Sequence, residues 1–184
     1  MGRIGLPPAM QFASKGHAVL GADVNSRMVD LINSGIVPFP GEAELDERMA
    51  AEVANGSLVA TLDTTAAVAD SGAVVVVVPL FVGQEGVPDF GWMDSATESI
   101  AKGLKAGTLV SYETTLAVGT TRQRFAPALE RASGLARRNG VWNVGSSEAS
   151  EMATLAEATY RDVNIGFANQ FARYPTPNTS TSVP

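Results

Sequence analysis

Residues 2–23 of the chain, GRIGLPPAMQFASKGHAVLGAD, contain the pattern that decides the fold. Two glycines spaced G-x-x-G, Gly2 and Gly5, lead into a stretch of helical period and then into an apolar strand that ends in Asp23. In a dinucleotide-binding βαβ unit such glycines let the backbone approach a pyrophosphate, and the acid binds the ribose hydroxyls. The stretch predicts the latter part of this turn, whose first glycine and strand would precede Met1.

Short apolar runs alternate with segments of helical period along the first two thirds of the chain. The runs are AVLGAD (18–23), SLVATL (57–62), AVVVVVP (73–79) and GTLVSYE (107–113). Helices are predicted near residues 6–15, 25–34, 43–55, 64–70, 91–103 and 120–132. Asn25, Thr64 and Gly119 are the candidate N-cap or entry residues of three of these helices. Alternating strands and helices are typical of a parallel sheet covered by helices. The prediction is an α/β fold with a Rossmann-like, doubly wound parallel sheet that lacks its first strand, followed by a long C-terminal helix.

The pattern divides the chain into four parts. Residues 1–134 are predicted to form an incomplete dinucleotide-binding domain, and 135–147 a turn-rich junction. Residues 148–174 have apolar positions at helical spacing and are expected to form one long helix. Residues 175–184, PTPNTSTSVP, show no periodicity and are expected to be a disordered tail.

Composition excludes several classes of function. The net charge is −6, which argues against a nucleic-acid surface, because phosphate binding needs clustered Lys and Arg. The chain has no cysteine, so it has no disulfide, no thiolate nucleophile and no Cys-ligated metal, and no metal site is predicted. No stretch reaches the roughly 20 apolar residues that span a bilayer, so we expect a cytoplasmic protein without membrane contact.

The residues around the glycine turn are the candidate cofactor contacts: Gly2, Ile4 and Gly5. Asp23 favours NAD over NADP, because a carboxylate repels the 2′-phosphate of NADP. Arg27 either reaches the adenosine face or is simply solvated, and its spacing slightly favours solvation.

Four stretches together resemble the UDP-glucose/GDP-mannose dehydrogenase family, and most of all its UDP-N-acetylmannosamine dehydrogenases. They are GRIGLPPAMQFASKGHAVLGADVN, LDTTAAVADSGAVVVVVP, LVSYETTLAVGTTRQRFAPALERASGL and SEASEMATLAEATYRDVNIGFANQFARY. They cover most of residues 2–174. The last two stretches are specific to this family and do not occur in dinucleotide-binding proteins generally.

The resemblance implies an activity and adds site residues. Such enzymes use NAD to oxidise the C6 alcohol of a nucleotide-linked sugar to a uronate, through a thiohemiacetal on a Cys, in polysaccharide biosynthesis. By resemblance, Val78 and Pro79 contact the cofactor, although Leu80 stands where the family has Thr. Thr115 matches a family Thr near the nicotinamide and the catalytic water, and is the candidate catalytic residue.

Departures from the family pattern bear on catalysis. Thr154 and Ala158 stand where the family has a Lys and an Asn that steady the oxyanion and the attacking water. A segment with a Glu is missing after residues 133–135, and the domain that carries the Cys is missing as well. We therefore expect this chain alone to be inactive. Two alternatives remain open: a non-catalytic NAD-binding or homodimerisation module that pairs through 148–174, and a truncated gene product without a function.

The absent first strand also raises a question about the sheet. In the predicted strand order it would lie between the strands at 18–23 and 73–79, leaving both with open edges. Two ways to fill the gap are VWNVG (141–145) and direct pairing of those two strands. If neither fills it, we expect the domain to be unstable or to aggregate.

Overall fold

A computed structural model describes residues 1–39 and 45–135 of the chain. Its elements, in chain order, are α1 (Leu6–Ala13), β1 (Val19–Ala22), α2 (Ser26–Asn33), α3 (Leu45–Ala54), β2 (Leu58–Thr61), α4 (Thr64–Ala69), β3 (Ala73–Val76), β4 (Phe81–Val82), β5 (Pro88–Asp89), α5 (Gly91–Gly103), β6 (Leu109–Tyr112), a π-helical turn (Thr121–Phe125) and α6 (Ala126–Ser133). Within these residues no helix is long and apolar enough to cross a membrane.

The chain divides into two compact units. The described part of the first comprises residues 1–39, 45–114 and 121–135, and Thr115–Thr120 belong to the second. The predictions for the junction after residue 135, the helix 148–174 with its homodimer contact, and the tail lie outside the described residues.

The parallel strands form two separate pairs within the described residues, which corrects the expectation of one doubly wound sheet. Strand β1 pairs with β2, from Val19 opposite Leu58 onward, and β3 pairs with β6, from Ala73 opposite Leu109 onward. The expected direct pairing of β1 with β3 is therefore wrong for the described part of the chain, because each of these strands has a single neighbour there. The other alternative, residues 141–145, lies outside the described residues.

Helices cover one face of each strand pair, and the described residues form two hydrophobic core clusters. The first cluster lies around β1, β2 and the helices α1 to α3, and contains Leu6, Ala9, Met10, Ala13, Val29, Ile32, Leu45, Met49, Leu58 and Ala60. The second lies around β3, β6 and the helices α4 and α5, and contains Val68, Val76 and Ile100. Side chains on the opposite faces are partly exposed: Leu20 and Val59 on the first pair are 39% and 43% exposed, and Val75 and Leu109 on the second are 44% and 57% exposed.

A side chain closes the outer edge of β2. The amide of Asn33, the last residue of α2, donates from Nδ2 to the carbonyl of Ala60 at 2.9 Å and accepts from the N–H of Ala60 at 2.7 Å. This amide mimics a neighbouring strand, so the edge is protected against pairing with another chain.

An aromatic cluster joins the π-helical turn to β6 and α5. Phe125 is fully buried, and its ring stacks on Tyr112 with centroids 4.7 Å apart. The Tyr112 hydroxyl lies 2.8 Å from the hydroxyl of Thr97, and burial raises the pKa of Tyr112 to about 12. Arg124 pairs with Asp94 through its Nε and Nη2 atoms, and this hydrogen bonding raises the pKa of the guanidinium.

Several local features match the sequence and others do not. Asn25 caps α2 as predicted, accepting from the N–H of Arg27 at 3.0 Å. Helix α4 is capped by Asp63, not by Thr64 as expected, because the Asp63 carboxylate accepts from the N–H of Ala66 at 2.9 Å. The antiparallel β4–β5 hairpin was not predicted, since strands of two residues are too short to show a hydrophobic period.

Candidate functional site

Asp23 lies directly after β1, at the carboxyl end of the strand. Its Oδ1 accepts from the N–H of Asn25 at 2.9 Å, and its Oδ2 is ion-paired with the α-ammonium of Met1. A carboxylate offers about four acceptor positions, so these two bonds leave room for hydroxyl donors from a ribose.

The glycine turn leads into α1 as its sequence predicts. The carbonyl of Gly2 accepts from the N–H groups of Gly5 at 3.1 Å and Leu6 at 3.0 Å. A Cβ added to Gly2 would meet nothing within 4 Å, so this backbone is open to a ligand. A Cβ on Gly5 would lie 3.0 Å from Cγ2 of Val77, so Gly5 lets the turn approach the segment after β3 closely.

Helix α1 offers an anion fewer amide donors than an ordinary helix N-terminus. Pro7 and Pro8 stand in its first turn and have no N–H. The guanidinium of the exposed Arg3, in the glycine turn, lies 5.4 Å from the centroid of the Phe39 ring. Backbone donors for a phosphate therefore belong to the turn before the helix.

Val78 and Pro79 follow β3 by two and three residues. The carbonyl of Val78 accepts from the hydroxyl of Thr114 at 2.6 Å, which ties the segment after β3 to the segment after β6. Pro79 is exposed at this end of the strands.

The glycine turn contacts the carboxyl ends of both strand pairs, although β1 and β3 are not hydrogen-bonded to each other. Met1 pairs with Asp23, and its side chain covers Gly21, where an added Cβ would lie 2.6 Å from Cε of Met1. Gly5 meets Val77 beyond β3. The contacts thus form a row from Asp23, across the glycine turn, to the segment after β3. Ligands of open α/β sheets bind along such an edge.

The structure does not bring every candidate residue into this row. The Arg27 side chain is exposed, in agreement with solvation. Its backbone N–H donates to the side chain of Asn25. Ile4 is 69% exposed. Thr115 is exposed and belongs to the second unit, so its role stays a prediction. His17, which is not among the candidate residues, contacts Phe12 edge-on with ring centroids 6.1 Å apart.

Sequence reasoning missed Thr114 and the contacts of Met1. Thr114 directly follows the predicted strand at 107–113 and precedes the candidate Thr115, and this position was the one signal for it. No local pattern indicates its bond to Val78. Within residues 1–39 and 45–135 there is no group of three or more His, Asp or Glu side chains that could hold a metal ion.

A glycine turn, an acid after the next strand and open carboxyl ends of parallel strands define the class of dinucleotide-binding α/β proteins. Comparison with known proteins gives the family. A sequence model described as the UDP-glucose/GDP-mannose dehydrogenase family, NAD binding domain, matches residues 1–162. The chain belongs to this family, as the resemblance predicted.

Individual relatives agree with this assignment. The UDP-N-acetyl-D-mannosamine dehydrogenase of Pyrococcus horikoshii is 30% identical over 94% of this chain and 51% of its own length. That of Salmonella typhimurium is 32% identical, over 94% of this chain and 52% of its own. The chain thus spans about half the length of these relatives. The Salmonella alignment runs over 225 positions, more than this chain's 184 residues, so the relative has internal residues that this chain lacks.

Solved structures are similar as well. The NDP-N-acetyl-D-galactosaminuronic acid dehydrogenase of Methanosarcina mazei superposes with a TM-score of 0.75 at 25% identity, over 94% of this chain and 48% of that one. The Pyrococcus horikoshii UDP-D-ManNAc dehydrogenase gives a TM-score of 0.68 at 34% identity, over 76% of this chain and 32% of that one. The two separate strand pairs therefore belong to the NAD-binding fold of nucleotide-sugar dehydrogenases.

Proposed function

We propose that this chain binds NAD, as the NAD-binding part of a nucleotide-sugar dehydrogenase that oxidises the C6 alcohol of a UDP-sugar such as UDP-N-acetylmannosamine. The observation that carries the proposal is the row from Asp23 across the glycine turn to Val77. The row connects a carboxylate that can accept hydrogen bonds from ribose hydroxyls, a glycine with open space beside it, and the end of a second strand pair. A dinucleotide-binding site is built from these features.

The residues fit NAD in a definite direction. Asp23 accepts the adenosine ribose hydroxyls, and the open backbone at Gly2 faces the pyrophosphate. The segment Val78–Pro79 then lies beside the nicotinamide half. NAD supplies the hydride acceptor when bound, while these residues hold and orient it.

An experiment on Asp23 tests the cofactor assignment. In calorimetric titrations, Asp23→Asn is expected to raise the Kd for NAD⁺ about tenfold, because hydrogen bonds to a charged group contribute about 1.5–3 kcal/mol. The variant should also lose most of its preference for NAD⁺ over NADP⁺, since the repulsion of the 2′-phosphate is gone.

The matched control is Asp30→Asn, which removes a carboxylate from an exposed position of α2. It should leave both affinities unchanged. Unfolding midpoints measured in parallel separate a binding effect from the loss of the Met1 ion pair. Wild-type affinity for NAD⁺ in the Asp23→Asn variant would disprove the role of Asp23.

We further propose that this chain does not turn over a nucleotide sugar by itself. It has no cysteine to form a thiohemiacetal, and Thr154 and Ala158 replace a cation and an amide on the predicted helix. With NAD⁺ and UDP-N-acetyl-D-mannosamine, no steady rise in absorbance at 340 nm is expected. Sustained NADH production by the purified chain would contradict this proposal.

A further inference from the structure

Thr114 lies where backbone pairing between β3 and β6 ends. The N–H of Glu113 donates to the carbonyl of Val76 at 2.9 Å, and beyond this bond the two segments are joined by a side chain: the Thr114 hydroxyl donates to the carbonyl of Val78 at 2.6 Å. The bond is partly buried, so water competes with it less than at an exposed site.

The bond fixes the segment that carries Pro79. Proline has a fixed φ and no N–H, so the position of its ring depends on the orientation of the preceding peptide group. That group contains the Val78 carbonyl, which the Thr114 hydroxyl holds toward β6. Pro79 is exposed at the carboxyl end of the strands, where its ring offers a rigid apolar surface.

The segment lies at one end of the contact row, and Asp23 lies at the other. If the adenosine ribose binds Asp23 and the pyrophosphate crosses the glycine turn, the second nucleoside of the cofactor faces Val78 and Pro79. We propose that Thr114 is a positioning residue for the nicotinamide half of NAD, acting through the Val78 carbonyl. This inference rests on the proposed NAD binding.

The proposal predicts that the two halves of the cofactor respond differently. Thr114→Val keeps the side-chain shape and removes the hydroxyl, so the Val78 carbonyl loses its donor. ADP-ribose shares the adenosine, the pyrophosphate and the second ribose with NAD⁺ but has no nicotinamide ring. A merely structural role for Thr114 would weaken both ligands equally, whereas a positioning role weakens NAD⁺ selectively.

The test is a set of calorimetric titrations of the full chain with NAD⁺ and with ADP-ribose. Thr114→Val is expected to raise the Kd for NAD⁺ about fivefold, the equivalent of one hydrogen bond, and that for ADP-ribose less than about twofold. Thr114→Ser keeps the hydroxyl and should restore wild-type affinity for NAD⁺.

Thr108→Val is the matched control. The Thr108 hydroxyl lies 3.5 Å from the carbonyl of Ser71, at the amino end of the same strand pair, so this variant removes a comparable link far from the row. It should change neither affinity. Equal losses for both ligands, or no loss in Thr114→Val, would overturn the positioning role alone. Absence of NAD⁺ binding to the wild-type chain would overturn the proposed function, and this inference with it.

Discussion

Replacing Phe125 by alanine is expected to lower the free energy of unfolding by about 3–5 kcal/mol. Phe125 is fully buried, stacks on Tyr112 with an interplanar angle of 10°, and contacts Phe90 edge-on with centroids 6.1 Å apart. Truncation removes the apolar burial and leaves a cavity that these rigid rings cannot fill by small movements.

Urea denaturation followed by circular dichroism measures this loss. Phe12→Ala is the control, because Phe12 is 51% exposed and its truncation should cost less than about 1 kcal/mol. Similar unfolding midpoints for Phe125→Ala and the wild-type chain would show that the aromatic cluster does not stabilise the fold.

Gly103→Ala is expected to destabilise the chain by about 3 kcal/mol, the upper range for overpacking. Gly103 is the last residue of α5, and a Cβ there would lie 2.2 Å from the carbonyl oxygen of Thr65 and 3.1 Å from the amide nitrogen of Ala69. Both are backbone atoms of α4, which cannot swing away as a side chain does. The clash outweighs the gain of up to about 1 kcal/mol that alanine usually brings to a helix.

Gly72→Ala is the matched substitution, because a Cβ at Gly72 would meet nothing within 4 Å. Its effect on the unfolding free energy should stay within about 0.5 kcal/mol. A Gly103→Ala variant as stable as the wild type, or more stable, would contradict the close packing of α4 on α5.

The sequence predicted the elements better than their arrangement. The helix Gly91–Gly103 has its predicted bounds, and the apolar runs at 18–23 and 73–79 contain β1 and β3. Hydrophobic period indicates an element and its buried face, but it holds no information about which strand pairs with which. The separation into two pairs depends on long-range contacts, and so it was found only in the structure.

In the candidate site, too, local features could be predicted and long-range contacts could not. The position of Asp23 at the end of β1 was predictable, because a strand and its final acid are adjacent in sequence. The contact of Gly5 with Val77 and the bond of Thr114 to Val78 join residues far apart in the chain, and no local pattern indicates them. The choice of Asp63 over Thr64 as the cap of α4 was missed for a smaller reason, since the two neighbouring residues are both good caps.

Calorimetric titration of the full chain with NAD⁺ and NADP⁺ tests the central claim most directly. The contact row from Asp23 to Val77 leads us to expect saturable binding of NAD⁺, tighter than that of NADP⁺ by about tenfold or more, because in the proposed site the Asp23 carboxylate accepts ribose hydroxyls and repels a 2′-phosphate. No saturable binding of NAD⁺, or equal or tighter binding of NADP⁺, would contradict it.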